Sequence, residues 1–440
     1  MKPFFQKLQL LLIVTAWIVF PAPSGMATNL SIWAPPPLVR LIEEGLSNNE
    51  NIKSLESNVE SLKEEISFAG SLNDPRLGIG VLNLPTDTFD FDQEPMTQKQ
   101  IFIAQKIPWF GKLSLRSQKA ALNAIRQEAI LRAKRLELSK EIAAVYYQLG
   151  FVASNQKINA KLIGMLNQLL RVSETRYSTG RGLQQDVLQA QVELSKLLDE
   201  RITLERKRRT LEDRVNSLLN RENFISVKPP ANLPYPDLHL EAKELQALAL
   251  KTNPWLAVRR AEIDQAGVAI DLARKDYMPD MDFKVAYGQR DSSQTGQDWA
   301  NFLSASVVMN IPLWKKKRQD KKLAATQFSH KATVNSYQNL AKSLPHKIDA
   351  LVTDIHNIQK NYKLIMDALM VQAEQWAYSS LSGYEVGKVE FNTMINAQIR
   401  LLRFELQAQR YLFDLYEKQV ELEEVLGQLL VSQDLEDNRS

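Results

Sequence analysis

Ile107-Pro108-Trp109-Phe110-Gly111-Lys112 returns further along the chain as Ile311-Pro312-Leu313-Trp314-Lys315-Lys316. Upstream, Asn49 and Pro75 return as Asn253 and Pro279, and all three anchors share a displacement of 204 residues (312 − 108, 253 − 49 and 279 − 75). Downstream, Tyr177-x-x-Gly180-Arg181 returns as Tyr384-x-x-Gly387-Lys388 at a displacement of 207 (384 − 177). Similar runs follow each, Asp186-Val187-Leu188-Gln189-Ala190-Gln191 against Thr393-Met394-Ile395-Asn396-Ala397-Gln398. One displacement held over so long a stretch marks an internal duplication, with a unit too long for a solenoid. The chain is one half written twice.

Working outward from the Ile-Pro signals, each half predicts helix, two strands, a very long helix, a tight turn and a return helix. The first helix is expected over about Leu38 to Leu72. Its counterpart is expected over about Leu238 to Tyr277, interrupted at Asn253-Pro254. Both stop before a proline, which pushes its preceding residue out of helical geometry. Leu77, Ile79 and Val81, then Ile101 and Ile103, then Phe283, Val285 and Tyr287, then Leu303, Ala305, Val307 and Met309 follow the two-residue period of strands with one apolar face. Beyond Lys112 no Gly or Pro occurs for about forty residues, whereas Pro345 interrupts the second long stretch and predicts a kink. Heptad seams flank both turns. Ile158, Leu162, Met165, Leu169 and Val172 are answered by Leu183, Val187, Ala190, Leu194 and Leu197. Leu351, Ile355, Ile358, Tyr362, Ile365 and Leu369 are answered by Ala397, Leu401, Phe404, Ala408, Tyr411 and Leu415. Seams on both sides of a short turn predict antiparallel helical hairpins.

The organisation expected is a signal peptide over residues 1–27, a first repeat over 28–227, a Pro-rich linker over 228–237, a second repeat over 238–433 and a polar tail over 434–440. Lys2 and Lys7, the apolar run Leu8 to Phe20 and Gly25-Met26-Ala27 have the order of a secretory signal. The net charge of +4 is spread over 55 basic and 51 acidic residues with no concentrated basic face, so the charges read as solvated helix surface and no nucleic-acid partner is expected. Absence of cysteine excludes disulfides, thiolate metal sites, a Cys nucleophile and a lipidated N-terminal Cys. Four scattered histidines form no ligand pair, and the methionines show no Met-x-x-Met clustering, so neither a metal site nor a cofactor is expected. No paired carboxylate, triad or phosphate loop stands out, which argues against an enzyme.

A helix over Lys112 to Tyr177 is roughly 100 Å long at ~1.5 Å per residue. Rooted beside short alternating strands, behind a signal sequence and without a membrane-length apolar run, it predicts an outer-membrane β-structure. Four strands cannot close a barrel, since membrane barrels need about eight or more. An open edge in lipid leaves backbone groups unpaired at several kcal/mol each. Several chains must therefore share one barrel, and three give about twelve strands.

The double repeat, Gln105-x-Ile107-Pro108-Trp109-x-Gly111-Lys112 and the Tyr-x-x-Gly turns resemble the TolC-type outer-membrane efflux proteins. Asn73-Asp74-Pro75-Arg76-Leu77, Asn83-Leu84-Pro85 and Met96-Thr97 resemble its heavy-metal-efflux branch. The resemblance implies a mainly α protein with a small β part. It implies homotrimers in which a twelve-stranded membrane β-barrel sits on a periplasmic α-barrel of long hairpins, set in outer-membrane lipid. It further implies a passive conduit without cofactor, working with a periplasmic adaptor and, through it, an inner-membrane RND-type pump. The cargo implied is heavy-metal cations, with drug efflux and protein secretion as alternatives. A periplasmic adaptor is a rival reading, but its β-domains flank one hairpin. A coiled-coil scaffold predicts neither alternating strands nor a signal.

Gly180 and Gly387 have a structural role as helix C-terminal glycines. In the family this turn also meets the adaptor, which makes Tyr177, Gly180, Arg181, Leu183, Tyr384, Gly387 and Lys388 the candidate contact residues. Pro108 and Pro312 are expected to end a strand and start a helix. Trp109, Gly111 and Trp314 complete the barrel-to-helix junctions, the aromatics as membrane-interface or packing residues. Some relatives close the tip with Asp-x-x-Asp. The matching positions here are Thr393 and Asn396, the expected gate region without an acidic ring.

Overall fold

The computed structural model describes residues 35–230, 233–293 and 295–428, so the expected signal peptide and the polar tail lie outside the described residues. The first half runs α1 (Pro36–Asn48), α2 (Glu50–Gly70), β1 (Arg76–Leu82), β2 (Gln98–Ile107), α3 (Lys112–Ser178) and α4 (Gln184–Leu218). The second runs α5 (Ala242–Thr252), α6 (Pro254–Lys275), β3 (Met281–Gln289), β4 (Phe302–Met309), α7 (Gln319–Leu364), a π turn (Ile365–Leu369), α8 (Met370–Glu385) and α9 (Phe391–Leu426). The four strands form one antiparallel sheet in the order β1-β2-β3-β4. They fall where the alternation predicts them.

The expected single helix over Leu38 to Leu72 is two helices, broken at Asn49 as its counterpart is at Asn253. The reason is an amide that ties two helix ends together. Asn49 Oδ1 accepts from the N–H groups of Asn51 (3.0 Å) and Ile52 (3.3 Å), while its Nδ2 donates to the Leu218 carbonyl at the end of α4 (3.3 Å). Asn253 repeats the device: Oδ1 accepts from Leu256 N–H at 3.1 Å, and Nδ2 donates to the Val425 carbonyl near the end of α9 at 2.7 Å. One side chain thus satisfies orphan donors of one helix and an orphan acceptor of another. Two shorter helices are spliced alongside each long one.

Pro345 lies inside α7, which runs unbroken from Gln319 to Leu364, and the π turn over Ile365–Leu369 follows it. One other expectation needs correction. Neither long helix follows directly on its proline: a turn at Phe110 and Gly111 precedes α3 at Lys112, and turns cover Leu313 to Arg318 before α7 begins at Gln319.

The core lies midway along the helices. Ile142, Tyr146, Tyr147 and Leu149 of α3 pack with Leu38 and Ile42 of α1, Val215 of α4, and Leu412, Phe413 and Tyr416 of α9. Tyr147 stacks on Tyr416 at 5.0 Å between centroids, and the Tyr416 hydroxyl donates to Pro234 O at 2.7 Å, fastening the linker to α9. A second cluster joins α5, α7 and α9 around Ile348, Ile355, Leu415 and Leu422, and a third joins the hairpins near their turns.

Candidate functional site

The sheet has two chemically distinct faces. Register places Leu77 opposite Ile103, Ile103 opposite Val285, and Val285 opposite Ala305; one step along, Ile79, Ile101, Tyr287 and Leu303 line up. That face is a continuous apolar band, and its large side chains are exposed. The other face aligns Arg76, Ala104, Lys284 and Ser306, with Gln100, Asp282 and Ser304 nearby. There Arg76 pairs with Asp282, and the Lys284 ammonium lies 4.0 Å from the Phe102 ring centre. Apolar outside and polar inside is the pattern of a strand set between lipid and a water-filled lumen.

The first strand-to-helix junction is an ion-pair cluster that the sequence reading missed. Lys112, at the start of α3, is only 4% exposed. Its ammonium lies 2.8 Å from Asp280 Oδ1 and 3.5 Å from Asp276 Oδ1, and donates to the Met278 carbonyl at 3.5 Å. Asp280 Oδ1 also accepts from the Trp109 N–H at 2.9 Å, and Asp276 Oδ2 pairs with Lys322 of α7 at 2.6 Å. Burial would raise the Asp280 carboxyl, but the Lys112 hydrogen bond, the Trp109 N–H and the charges of Lys112 and Lys106 hold it below its ordinary value. Gly111 takes φ +84° to turn the chain from Pro108 and Trp109 into the helix. Pro108 and Trp109 are half-buried, with Trp109 edge-on to exposed Phe110 at 5.8 Å.

The second junction is bare. Ile311, Leu313 and Trp314 are exposed, Pro312 is half-buried, and Lys315, Lys316, Lys317 and Arg318 reach solvent without an ion pair among the described residues. Only a Lys adjoining a Pro-aromatic signal marks both junctions in sequence; nothing local announces that one is buried.

At the far end, the turns are built alike. Gly180 and Gly387 both adopt φ +73° with open space where a Cβ would stand. Gly180 N–H bonds Tyr177 O (3.0 Å) and Arg181 N–H bonds Arg176 O (2.8 Å), matched by Gly387 to Tyr384 (3.1 Å) and Lys388 to Gly383 (2.8 Å). This pattern closes a helix on a left-handed residue. Tyr177, Arg181, Leu183 and Lys388 point into solvent. Tyr384 does not: it is buried, edge-on to Phe391 at 5.7 Å. Arg176 caps it, its guanidinium 4.6 Å from the ring centre and its Nη1 donating to Tyr384 O at 3.2 Å.

Gln189 Nε2 donates to Asn392 Oδ1 at 2.7 Å, a second polar link between the hairpins. Thr393 and Asn396 are exposed on α9, with Asn396 bonded back to Asn392. Burial raises the Asp186 carboxyl, opposed by a backbone bond at Leu183 and the Arg176 charge. Among the described residues no cluster of His, Asp and Glu could hold a metal, and no helix is long and apolar enough to cross a membrane.

A family model for outer membrane efflux proteins matches residues 41–221 and 245–428, taking in both repeats. No curated protein matches the sequence. Among solved structures, the chain is similar to the outer-membrane channel OprN at 17% identity and a TM-score of 0.76, covering 90% of this chain and 93% of that one. It is similar to CusC at 15% identity and a TM-score of 0.75, with 90% and 93% covered. The outer membrane protein VceC of Vibrio cholerae is similar at 17% identity and a TM-score of 0.73, with 89% and 96% covered. At such identities the likeness is one of fold.

Proposed function

The chain belongs to the outer membrane efflux protein family, a family of transport proteins rather than enzymes, and from that premise we propose that it is the passive outer-membrane conduit of a tripartite export system. The observation that carries this reading is the four-stranded sheet with one apolar face, one polar face and, among the described residues, no partner on either edge strand. Lipid leaves no water to satisfy those edges, so the sheet is stable in a membrane only when copies close it. Three copies supply twelve strands. Light scattering on detergent-solubilised protein should report three chains per particle, and a monodisperse monomer with folded strands refutes the reading.

The two turns are proposed as the end that meets a periplasmic adaptor and, through it, an RND-type pump. Tyr177, Gly180, Arg181, Leu183, Gly387 and Lys388 offer the contacting surface, and Tyr384 holds the second turn from beneath. Gly180→Leu and Gly387→Leu should abolish adaptor cross-linking and export while the trimer assembles. The corresponding Ala variants carry the same backbone strain with little bulk, and should retain more of both. If the Leu variants export normally, the assignment fails. Thr393 and Asn396 belong to the proposed gate region, which without carboxylates should not tighten or loosen with pH through those positions.

Cargo is proposed to be heavy-metal cations, on the resemblance around Asp74-Pro75, Asn83-Leu84-Pro85 and Met96 to Lys112. With no thiolate in the chain, ions are expected to pass hydrated rather than bound. Deleting the gene should lower tolerance to copper, silver, cobalt, zinc or cadmium. Unchanged metal tolerance together with new sensitivity to dyes or antibiotics assigns the conduit to multidrug efflux instead.

A further inference from the structure

The contact between the two halves inside the chain is a template for a contact the chain cannot make alone. Upper α3 is covered by α6: Lys112, Ala124, Gln127, Leu131 and Ala133 are all buried. Its repeat partner α7 has no buried residue before Leu344. At the position matching Ala124, which is 3% exposed, stands Phe328, which is 72% exposed. The other flank is equally bare. Phe68 near the end of α2 is 81% exposed, whereas its repeat match Leu272 on α6 is partly covered. Charge follows the same division. Among the described residues, Lys315, Lys316, Lys317, Arg318 and Lys321 have no acidic partner on one flank, and Glu64, Glu65 and Asp74 have no basic partner on the other.

We propose that the β4–α7 flank of one copy docks on the β1–α2 flank of a second copy in the register that joins β2 to β3 within the chain, with Lys316 seated against Asp74 of the second copy. This rests on the reading of the protein as an oligomeric conduit and adds the pairing. Shifting the observed pairs by the repeat displacement of 204 turns Ile103–Val285 into Val307–Val81, and Gln105–Phe283 into Met309–Ile79. Val307 and Met309 of β4 then meet outward apolar residues of β1, while Ala305 and Leu303 fall opposite Asn83 and Pro85, just past its end. On the inner face Val308 falls opposite Gly80, where a Cβ would meet open space. A slip of one residue would put Val307 on the lumen side, so parity is fixed by the two faces.

The ion pair is not a plain copy of Lys112–Asp280, because the position matching Asp280 is Arg76, already paired to Asp282. Asp74 matches Met278, whose carbonyl Lys112 also touches, and supplies the missing carboxylate. By the Arg126–Glu262 pairing of α3 with α6, whose image is His330 opposite Asn58, Lys321 falls opposite Ser67, one helical turn from Glu64.

The absence of cysteine makes the register directly readable. Opposed residues on antiparallel strands have Cα atoms about 4.5–5.5 Å apart, within disulfide reach, while diagonal neighbours stand roughly 7–8 Å apart. On oxidation of the outer-membrane-assembled protein, Val307→Cys with Val81→Cys should give a ladder of covalent dimers and trimers. Val307→Cys with Ile79→Cys or Asn83→Cys should give several-fold less. A stronger ladder from either of the latter overturns the register. A trimer by light scattering that cross-links through none of them overturns the meeting of these edges, and a monomer overturns the conduit reading itself. Lys316→Glu should lower the trimer fraction several-fold, and adding Asp74→Lys should restore it. If Lys316→Glu assembles normally, or the reversed pair gives no rescue, the ion pair is wrong.

Discussion

The two strand-to-helix junctions begin from the same Ile-Pro signal and end in opposite states. Lys112 is enclosed by Asp280, Asp276 and the Met278 carbonyl, and α3 starts at Lys112 itself after a short turn. Lys316 stands in solvent among other cations, and a run of turns delays α7 to Gln319. The difference does not lie in the motif. The first junction faces the second half of its own chain, and the second faces none of the described residues. A duplicated half therefore shows what is intrinsic to the unit, and the asymmetry between copies shows what each needs from a neighbour.

The largest effect expected is at the buried pair. Lys112→Met should destabilise the protein by roughly 3 kcal/mol, since it leaves Asp280 enclosed without its cation. Lys315→Met, at an exposed position, should change stability by no more than about 0.5 kcal/mol. Thermal unfolding in detergent, followed by circular dichroism, checks both, and equal losses would erase the contrast.

The helix splices come next. Asn253→Ala should cost about 2 kcal/mol and Asn49→Ala about 1 kcal/mol, because a lost cap costs ~0.5–2 kcal/mol and the Asn253 amide is the more buried and the more closely bonded. If the order is reversed, the splice does not explain the broken helices.

A pH experiment sharpens the first junction further. The Asp280 carboxyl is held below its ordinary value, so its contribution is fully present above the unfolded-state pKa and is lost as pH falls through the lower folded value. Acid titration should therefore remove a stabilising increment below the ordinary carboxylate range. Asp280→Asn should flatten the curve in that window. No change in the profile would mean that the pair carries little stability.

The smallest difference is expected at the turns, where the halves agree. Gly180→Ala and Gly387→Ala should each cost about 1–2 kcal/mol from left-handed backbone strain alone, as nothing crowds either Cβ. A large disparity between them would show that Tyr384 and Arg176 strain one turn and not the other.

Much of the fold was legible along the chain because it is written in local or periodic terms. Pro75 and Pro279 stop helices by steric exclusion of the preceding residue, the two-residue alternation sets the strand faces, and Gly180 and Gly387 take a conformation that a side chain resists. The duplication itself needs only the sequence compared with itself. Asn49 was visible as a repeat anchor, yet its role was not, since the Leu218 carbonyl it meets is 169 residues away. Lys112 and Asp280, separated by 168 residues, and Arg176 and Tyr384, by 208, are likewise brought together only when helices from different halves pack. Sequence by itself determined the repeat, the four strands, their faces and the hairpin turns. Which lysine is buried, which tyrosine turns inward and which flank stays bare were decided by tertiary structure, because pairing and burial depend on neighbours that no local pattern specifies.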